Sequence, residues 1–192
     1  MLNDSSKNSQ EYLMKAMLIM LTGTLFALLM VQTADAQELE KATFAGGCFW
    51  CIEAPFEKVE GVVSAVSGYT GGNKTDPTYR EVSSGSTTHL EAVQITYDPQ
   101  QISYQQLLEI YWRQFDPTDA GGSFHDRGHQ YTSAVFYHDD EQKEQAEASK
   151  FAIEKSGRFD KPVITPIRQA LPFYPAENYH QDYYKKEPQH YK

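Results

Sequence analysis

The sequence Gly46-Gly47-Cys48-Phe49-Trp50-Cys51-Ile52-Glu53 joins a short apolar run, Ala42 to Ala45, to a longer segment with apolar residues at helical spacing. Pro55 lies early in that segment. A proline is compatible with the first turn of a helix, because its missing N–H has no intrahelical partner there. The pattern therefore predicts a strand, a glycine turn and a helix, with Cys48 at the start of the helix.

Strand and helix patterns continue after this turn, with no repeat, linker or charge block that would mark a second domain. Asn73 to Ser86 is rich in turn residues and predicts a long loop. The tyrosine-rich and proline-rich chain beyond Pro172 is expected to wrap the domain as irregular structure. Strands mixed with helices in this order indicate an α/β or α+β sandwich. The predicted strands are Val62 to Tyr69, Leu90 to Tyr97, Thr132 to His138 and Val163 to Ile167.

Two further helices are predicted. Ser103 is the expected N-cap of the first, and Asp139-Asp140 opens the second, which runs towards Gly157. The apolar face of the first helix comprises Leu107, Leu108, Tyr111, Trp112 and Phe115. The residues of the second helix that are expected to face inward are Ala148, Phe151 and Ala152.

The N-terminal 36 residues have the three-part layout of a secretory signal peptide. Lys15 precedes an uncharged stretch, Ala16 to Val31, and the small-residue sequence Ala34-Asp35-Ala36 follows it. Residues 1–36 are therefore expected to be a signal peptide and residues 37–192 the mature domain, which is secreted or periplasmic. The alternatives are a buried core helix or an uncleaved membrane anchor, and Met14 is an alternative start of translation.

The composition excludes some classes of protein. The 192-residue chain contains 17 Lys and Arg residues against 26 Asp and Glu, a formal charge of -9, which argues against nucleic-acid binding. Two cysteines are too few for a disulfide-stapled scaffold or an all-cysteine zinc site. An acidic surface without obvious apolar repeats makes a monomer the expectation.

The two cysteines are spaced so that both sulfur atoms lie on one face of the predicted helix, close enough for a disulfide. A helix N-terminus is expected to lower the pKa of Cys48 and so favour the nucleophilic thiolate. The pair is thus a candidate for catalysis or redox cycling. The alternatives are a static structural disulfide and half of a metal site.

Three other features are candidates for chemistry. Phe49 and Trp50 are expected either to form an apolar pocket or to belong to the core. Glu91 shares a strand face with apolar residues, so it is either a desolvated general acid or an exposed glutamate at the end of an edge strand. His125 and His129 lie four residues apart in a glycine-containing loop and are expected to be solvated rather than zinc-bound.

The chain resembles the A-type peptide-methionine sulfoxide reductases at the glycine and cysteine segment quoted above. The resemblance continues in family order along nearly the whole mature chain. The other matching segments are Val66-Ser67-Gly68-Tyr69-Thr70-Gly71-Gly72, Tyr79, His89-Leu90-Glu91, Tyr97-Asp98-Pro99, Asp126-Arg127-Gly128-His129-Gln130-Tyr131 and Ala176-Glu177-Asn178-Tyr179-His180-Gln181-Asp182-Tyr183. It implies a two-layer α+β sandwich resembling a ferredoxin-like plait, with a long irregular C-terminal segment.

The resemblance also implies an activity, the reduction of methionine S-sulfoxide to methionine. Cys48 attacks the sulfoxide sulfur, and Glu91 protonates the sulfoxide oxygen. The remaining residues that match family site positions are Tyr79 and Tyr131, which hydrogen-bond that oxygen, Phe49 and Trp50, which wall the methyl pocket, and Asp126, which helps to hold the substrate backbone.

Many relatives carry their resolving cysteine in a C-terminal tail, but this chain has no cysteine after Lys155. The resemblance therefore implies that Cys51 attacks the Cys48 sulfenic acid. A thioredoxin-type protein or a small dithiol then reduces the Cys48–Cys51 disulfide, and no bound cofactor or metal is expected. Two alternatives remain open at this point, a general thiol-disulfide oxidoreductase and a binding domain with a structural disulfide.

Overall fold

A mixed six-stranded sheet is the framework of the fold, seen here in a computed structural model whose described residues are 38–191 and Met14. Apart from Met14, which is also the alternative start, the expected signal peptide lies outside the described residues. The described residues form eight strands: β1 Glu40–Gly46, β2 Val62–Thr70, β3 Leu90–Tyr97, β4 Gly122–Ser123, β5 Asp126–Arg127, β6 Ser133–Tyr137, β7 Ile167–Gln169 and β8 Tyr174–Pro175. The helices are α1 Phe49–Phe56, α2 Tyr79–Ser83, α3 Tyr104–Tyr111, α4 Asp140–Lys155 and α5 Tyr183–Lys186, and a 3₁₀ turn spans His129–Tyr131.

The order of strands in the sheet is β7-β6-β1-β3-β2-β8. β1 pairs antiparallel with both β3 and β6, β2 pairs antiparallel with β3 and β8, and only the β6–β7 pair is parallel. β4 and β5 form a separate small hairpin. Two short elements, β7 and β8, therefore close the edges of a sheet whose four central strands are antiparallel.

The two faces of the sheet are covered differently, as the alternation of side chains along each strand requires. Phe44 and Val93 belong to the larger apolar cluster, together with residues of α1, α3 and α4. Ala45 and Ala92, their chain neighbours, belong to a smaller cluster against which Phe173 of the C-terminal segment packs. The helices thus form a second layer on one face, as the predicted sandwich requires.

The predicted helix starts are confirmed. The Ser103 hydroxyl accepts a hydrogen bond from the Gln106 N–H, and the Gln106 side chain returns to Ser103, which makes a capping box for α3. The Asp139 carboxylate likewise accepts from the Gln142 N–H at the start of α4. The five residues predicted for the apolar face of the helix that Ser103 begins are all buried: Leu107, Leu108, Tyr111, Trp112 and Phe115.

The last predicted strand, Val163 to Ile167, is wrong in its position, because β7 begins only at Ile167. Pro166 has no N–H to give to a ladder, and the Ile164 N–H donates to the Pro117 carbonyl instead. Thr165 is buried, and its hydroxyl forms a hydrogen bond with that of Ser133. Val163 and Thr165 are therefore buried and Ile164 is exposed, but these residues are not part of a strand.

The predicted inward face of α4 is also wrong. Ala148, Phe151 and Ala152 are exposed, Phe151 by 58%. The buried positions are Gln142 and Ala146, at i and i+4, and the Gln142 amide donates to the Lys41 carbonyl. The buried face of α4 therefore carries a polar residue that hydrogen-bonds to β1. Apolar content alone predicted a different face of the helix.

The predicted loop from Asn73 to Ser86 contains the short helix α2. Thr78 and Glu81 form a capping box that starts it. The C-terminal segment is mostly irregular, as predicted, but β8 adds a strand to β2 and α5 adds a helical turn. Within residues 38–191 no helix is long and apolar enough to span a membrane.

Candidate active site

The backbone at the end of β1 places Cys48 at the N-cap of α1. Gly47 has φ of +118°, which side-chain-bearing residues rarely adopt, and a Cβ at this position would lie 2.5 Å from the Ser123 Cβ. Glycine at position 47 is therefore required both by its conformation and by the close approach of the β4–β5 hairpin.

The two cysteines are free thiols on the first turn of α1, with Cys48 half-buried and Cys51 exposed. The Cys51 N–H donates to the Cys48 carbonyl at 3.0 Å, a 3₁₀-type bond that closes the first turn of the helix. The neighbouring Cys48 thiol lowers the pKa of Cys51 by hydrogen bonding, although burial opposes this effect. The ionisation of either sulfur therefore affects the other.

The expectation of a lowered pKa at Cys48 is wrong for the free protein. Its hydrogen bond to Cys51, its burial and the nearby Glu91 carboxylate all raise the pKa of Cys48. The Trp50 N–H at the helix N-terminus does lower it, as predicted, but this effect is the smaller one. Part of the rise disappears whenever Glu91 is protonated and neutral.

Glu91 lies on the helix-facing side of β3 and is 1% exposed, so the alternative of an exposed edge glutamate is wrong. Its Oε2 accepts a hydrogen bond from the Phe49 N–H at 3.1 Å, next to Cys48. Burial raises the pKa of Glu91 to about 8, and the charges of Asp126 and Cys51 add to the rise against the opposing Phe49 hydrogen bond. A carboxyl with this pKa holds its proton at neutral pH.

Two half-buried tyrosines face the same site. The pKa of Tyr79 rises to about 12 through burial and the charges of Glu91 and Cys48. Burial and the charge of Glu91 also raise the pKa of Tyr131. Asp126, next to the turn of the β4–β5 hairpin, is close enough to both phenols to contribute to these shifts. Both hydroxyls therefore stay protonated and can donate hydrogen bonds.

An aromatic wall stands beside the cysteines. Phe49 is 1% exposed, Trp50 is half-buried, and the Phe49 ring lies 6.4 Å from that of Tyr79. Phe49 and Trp50 belong to or pack against the larger core cluster, so the core and pocket interpretations both apply to them. All eight residues predicted for the site are thus brought to one end of α1 and β3.

The C-terminal segment adds to this wall residues for which the sequence predicted no role. The His180 ring, 2% exposed, lies 5.0 Å from Phe49 and 4.2 Å from Tyr79. Tyr183 stacks on Trp50 with 3.6 Å between ring centroids and 6° between planes. The only sequence signal for them was their place in the matching C-terminal segment.

A carboxylate also ties that segment to the tyrosine side of the site. Glu177 accepts hydrogen bonds from the Tyr69 hydroxyl at 2.9 Å and from the Tyr79 N–H at 3.0 Å. These bonds lower the pKa of Glu177, although its partial burial opposes them. Tyr79 is therefore held from the C-terminal segment as well as by α2.

The histidines of the Phe124–Tyr131 loop lie outside this cluster of groups. His125 and His129 are exposed, and the His129 ring contacts the Thr88 carbonyl at 3.0 Å. Across residues 38–191 no group of three His, Cys, Asp or Glu side chains is arranged to hold a metal ion. The chemistry available at the site is therefore that of a thiol pair, a proton donor and an apolar wall.

The comparisons with known proteins agree with this arrangement. The family model described as peptide methionine sulfoxide reductase matches residues 40–192. The peptide methionine sulfoxide reductase MsrA of Listeria monocytogenes serotype 4a (strain HCC23) is 59% identical over 155 residues, which cover 81% of this chain and 88% of that protein.

Solved structures share the fold. Reduced Mxr1 from Saccharomyces cerevisiae has a TM-score of 0.75 at 30% identity, covering 81% of this chain and 89% of that one. A structure of Mxr1 in complex with Trx2 has a TM-score of 0.53 at 21% identity, covering 80% of this chain and 91% of that one, and shows the fold alone. With a family match along the whole sheet and site, the chain belongs to the peptide methionine sulfoxide reductases, in their A type.

Proposed function

We propose that this chain reduces methionine S-sulfoxide, free or within peptides and proteins, to methionine, and so repairs oxidative damage. The observation that carries the proposal is the buried Glu91 carboxyl, with a pKa of about 8, hydrogen-bonded to the first turn of the helix that carries Cys48. A neutral acid beside a thiol is what cleavage of a sulfur–oxygen bond requires, because oxygen leaves readily only when protonated.

The first step transfers the sulfoxide oxygen to Cys48. The Cys48 thiolate bonds to the substrate sulfur, and Glu91 transfers its proton to the sulfoxide oxygen. The substrate S–O bond and the transient S–S bond then break as an S–O bond forms on Cys48, so two electrons pass from Cys48 to the substrate, which leaves as methionine, and Cys48 becomes a sulfenic acid. A protonated Glu91 carries no charge, so it does not oppose the Cys48 thiolate before the proton moves.

The other residues of the site orient the substrate. The Tyr79 and Tyr131 hydroxyls, whose raised pKa values keep them protonated, donate hydrogen bonds to the sulfoxide oxygen. Phe49 and Trp50 bind the methyl group by apolar contact, and Asp126 holds the substrate backbone. Burial of the methyl between two rings leaves the sulfur in front of Cys48.

Cys51 completes the cycle. Its thiol attacks the Cys48 sulfenic acid, the sulfenic hydroxyl leaves as water with the Cys51 proton, and the Cys48–Cys51 disulfide forms. A thioredoxin-type protein or a small dithiol then reduces the disulfide, and no bound cofactor takes part. Mxr1, which is 30% identical to this chain in its reduced form, has also been solved in complex with Trx2, and that relative's complex supports a thioredoxin-type partner.

The cellular setting rests on the sequence of the N-terminus. Residues 1–36 act as a cleaved signal peptide, and the domain from residue 37 works as a secreted or periplasmic monomer.

We also propose that the four central strands of the sheet have the topology of a ferredoxin-like plait. The β6-β1-β3-β2 order and antiparallel pairing support it.

Single turnover without reductant tests the residue assignments. Wild type should release one methionine per chain and lose both thiols. Cys51→Ser should also release one methionine and leave a sulfenic acid that a cyclic 1,3-diketone traps, while Cys48→Ser should release none. Methionine from Cys48→Ser, or the absence of a trapped sulfenic acid in Cys51→Ser, would contradict the cycle.

Replacement of the acid separates this function from general thiol-disulfide exchange. Glu91→Gln should abolish sulfoxide reduction, because the amide cannot give a proton to the oxygen, while reduction of the Cys48–Cys51 disulfide by thioredoxin continues. Unchanged sulfoxide turnover in Glu91→Gln would remove Glu91 from the mechanism. Loss of both reactions would assign it to the structure of the site.

A further inference from the structure

We infer that Glu53 is a positioning residue for substrate binding, which ties the C-terminal segment 176–183, here called the strap, to the helix that carries the cysteines. The inference rests on the proposed function, because it concerns the pocket that takes the substrate methyl group. Glu53 lies on α1 two residues after Cys51. It has no part in the proton and electron transfers described above.

The Glu53 side chain is buried between three elements. It is 1% exposed, and its two carboxylate oxygens have separate partners. Oε2 accepts a hydrogen bond from the Ser67 hydroxyl of β2 at 2.8 Å, and Oε1 accepts one from the Asp182 N–H of the strap at 3.0 Å. A single side chain of α1 therefore holds the sheet on one side and the strap on the other.

The strap residue that Glu53 holds lies between two residues of the aromatic wall. Asp182 has φ of +54°, an uncommon left-handed conformation for a residue with a side chain. His180, two residues earlier, packs on Phe49, and Tyr183, the next residue, stacks on Trp50. Fixing Asp182 therefore fixes the rings of His180 and Tyr183 against the rings from α1.

The other hydrogen bonds of the strap do not connect it to α1. Gln181 bonds to the backbone N–H and carbonyl of Ser67, both at 2.9 Å, and Glu177 bonds to Tyr69 and Tyr79. These contacts anchor the strap to β2 and α2. Among the hydrogen bonds of the described residues, only the one from Glu53 joins the strap backbone to α1.

Burying the Glu53 carboxylate to make this connection costs free energy, because the charge loses its hydration. Within the described part of the chain no Lys or Arg forms an ion pair with Glu53, and Lys185 pairs with Glu57 and Asp182 instead. Burial and the neighbouring Glu57 and Asp182 charges raise the pKa of Glu53, while its two hydrogen bonds oppose the rise. The cost is consistent with a bond whose benefit is geometry at the site rather than stability.

The test compares Glu53→Ala and Glu53→Gln in a Trp112→Phe background, where Trp50 is the only tryptophan. Trp112 lies in the turn after α3, away from the site, so Trp50 fluorescence reports the stacked Tyr183. Alanine loses both bonds. Glutamine keeps an amide oxygen for the Asp182 N–H and can donate its amide to the Ser67 hydroxyl.

Glu53→Ala should shift Trp50 emission to longer wavelength and raise KM for a sulfoxide-containing peptide roughly tenfold, the equivalent of one lost hydrogen bond. Its kcat should change less than about twofold, because the reacting groups remain in place. Glu53→Gln should restore both readouts. Glu60→Ala, which removes an exposed carboxylate in the turn after α1, should match the parent protein.

Wild-type emission and KM in Glu53→Ala would overturn the inference, as would a Glu53→Gln variant as impaired as Glu53→Ala. If Glu53→Ala fails to fold, Tyr183→Ala should reproduce the emission shift and the raised KM, and unchanged values there would overturn it as well. If the parent protein reduces no sulfoxide, the proposed function fails, whereas Trp50 emission still decides whether Glu53 holds the strap.

Discussion

Glu91→Gln should make the protein more stable than wild type, by a margin that grows with pH. The side chain is 1% exposed, and burial raises the pKa of its carboxyl from the usual 4.5 to about 8. Between those two pH values the folded chain keeps the Glu91 proton and the unfolded chain has lost it. The unfolded state then binds fewer protons, so the stability of wild type falls as pH rises.

The magnitude follows from the size of the shift. Each pH unit between the two pKa values costs about 1.4 kcal/mol, so the free energy of unfolding should fall by about 4 kcal/mol between pH 5 and pH 9. Glutamine is nearly isosteric, and its amide oxygen can accept the same Phe49 hydrogen bond, but it carries no titrating proton. The advantage of the variant should therefore be small at pH 5 and about 4 kcal/mol larger at pH 9.

Urea unfolding at 25 °C measures this difference, with both cysteines kept reduced by a phosphine. Glu109→Gln makes the same chemical change at an exposed position of α3 and should show no comparable pH-dependent gain. A Glu91→Gln gain that is equal at pH 5 and pH 9 would refute the reasoning. It would mean that Glu91 ionises in the folded protein as it does in water and is no proton donor at neutral pH.

Three further outcomes follow from the same structure. The infrared difference spectrum between wild type and Glu91→Gln should show the Glu91 carboxyl protonated at pH 6 and ionised at pH 10; a carboxylate already ionised at pH 6 would contradict its role as the acid. Gly47→Ala should lower the free energy of unfolding in urea by about 2 kcal/mol or more, because of its φ of +118° and the nearby Ser123; an unchanged value would show that the turn relaxes without cost. Ser103→Ala should cost about 1 kcal/mol by the same measurement through loss of the α3 cap, and Ser103→Asp should restore most of it; no loss in the alanine variant would assign the cap no weight.

Local sequence patterns predicted the parts of the fold that depend on neighbouring residues. The glycine turn before Cys48, the Ser103 cap and the strand Leu90 to Tyr97 all appear as expected. Each is decided within about ten residues by capping, turn geometry or side-chain alternation. The burial of Glu91 also follows from alternation, since its strand face carries Val93 and Ile95.

Long-range contacts account for the wrong predictions. Apolar content placed Phe151 inside, but α4 packs through Ala146 and through a Gln142 hydrogen bond to β1, about 100 residues away in sequence. Val163 to Thr165 has the composition of a strand, yet a carbonyl at Pro117 takes its central N–H. No local pattern reports which distant partner a backbone group will find.

The candidate site shows the same division. Resemblance at Cys48, Glu91 and Tyr131 identified residues that the fold does bring together. The pKa of Cys48 was mispredicted because the helix N-terminus was visible in the sequence, whereas burial and the contacts to Cys51 and Glu91 were not. The packing of His180 and Tyr183 on the wall depends on a strap that returns from more than 100 residues away.

Turnover of the separate S and R sulfoxide epimers of a blocked methionine, with dithiothreitol as reductant, tests the central claim most directly. Wild type should reduce the S epimer alone, and Cys48→Ser should reduce neither. Activity on neither epimer by wild type, equal activity on both, or S-epimer reduction that survives in Cys48→Ser would contradict the account of this chain as an S-specific reductase with Cys48 as its nucleophile.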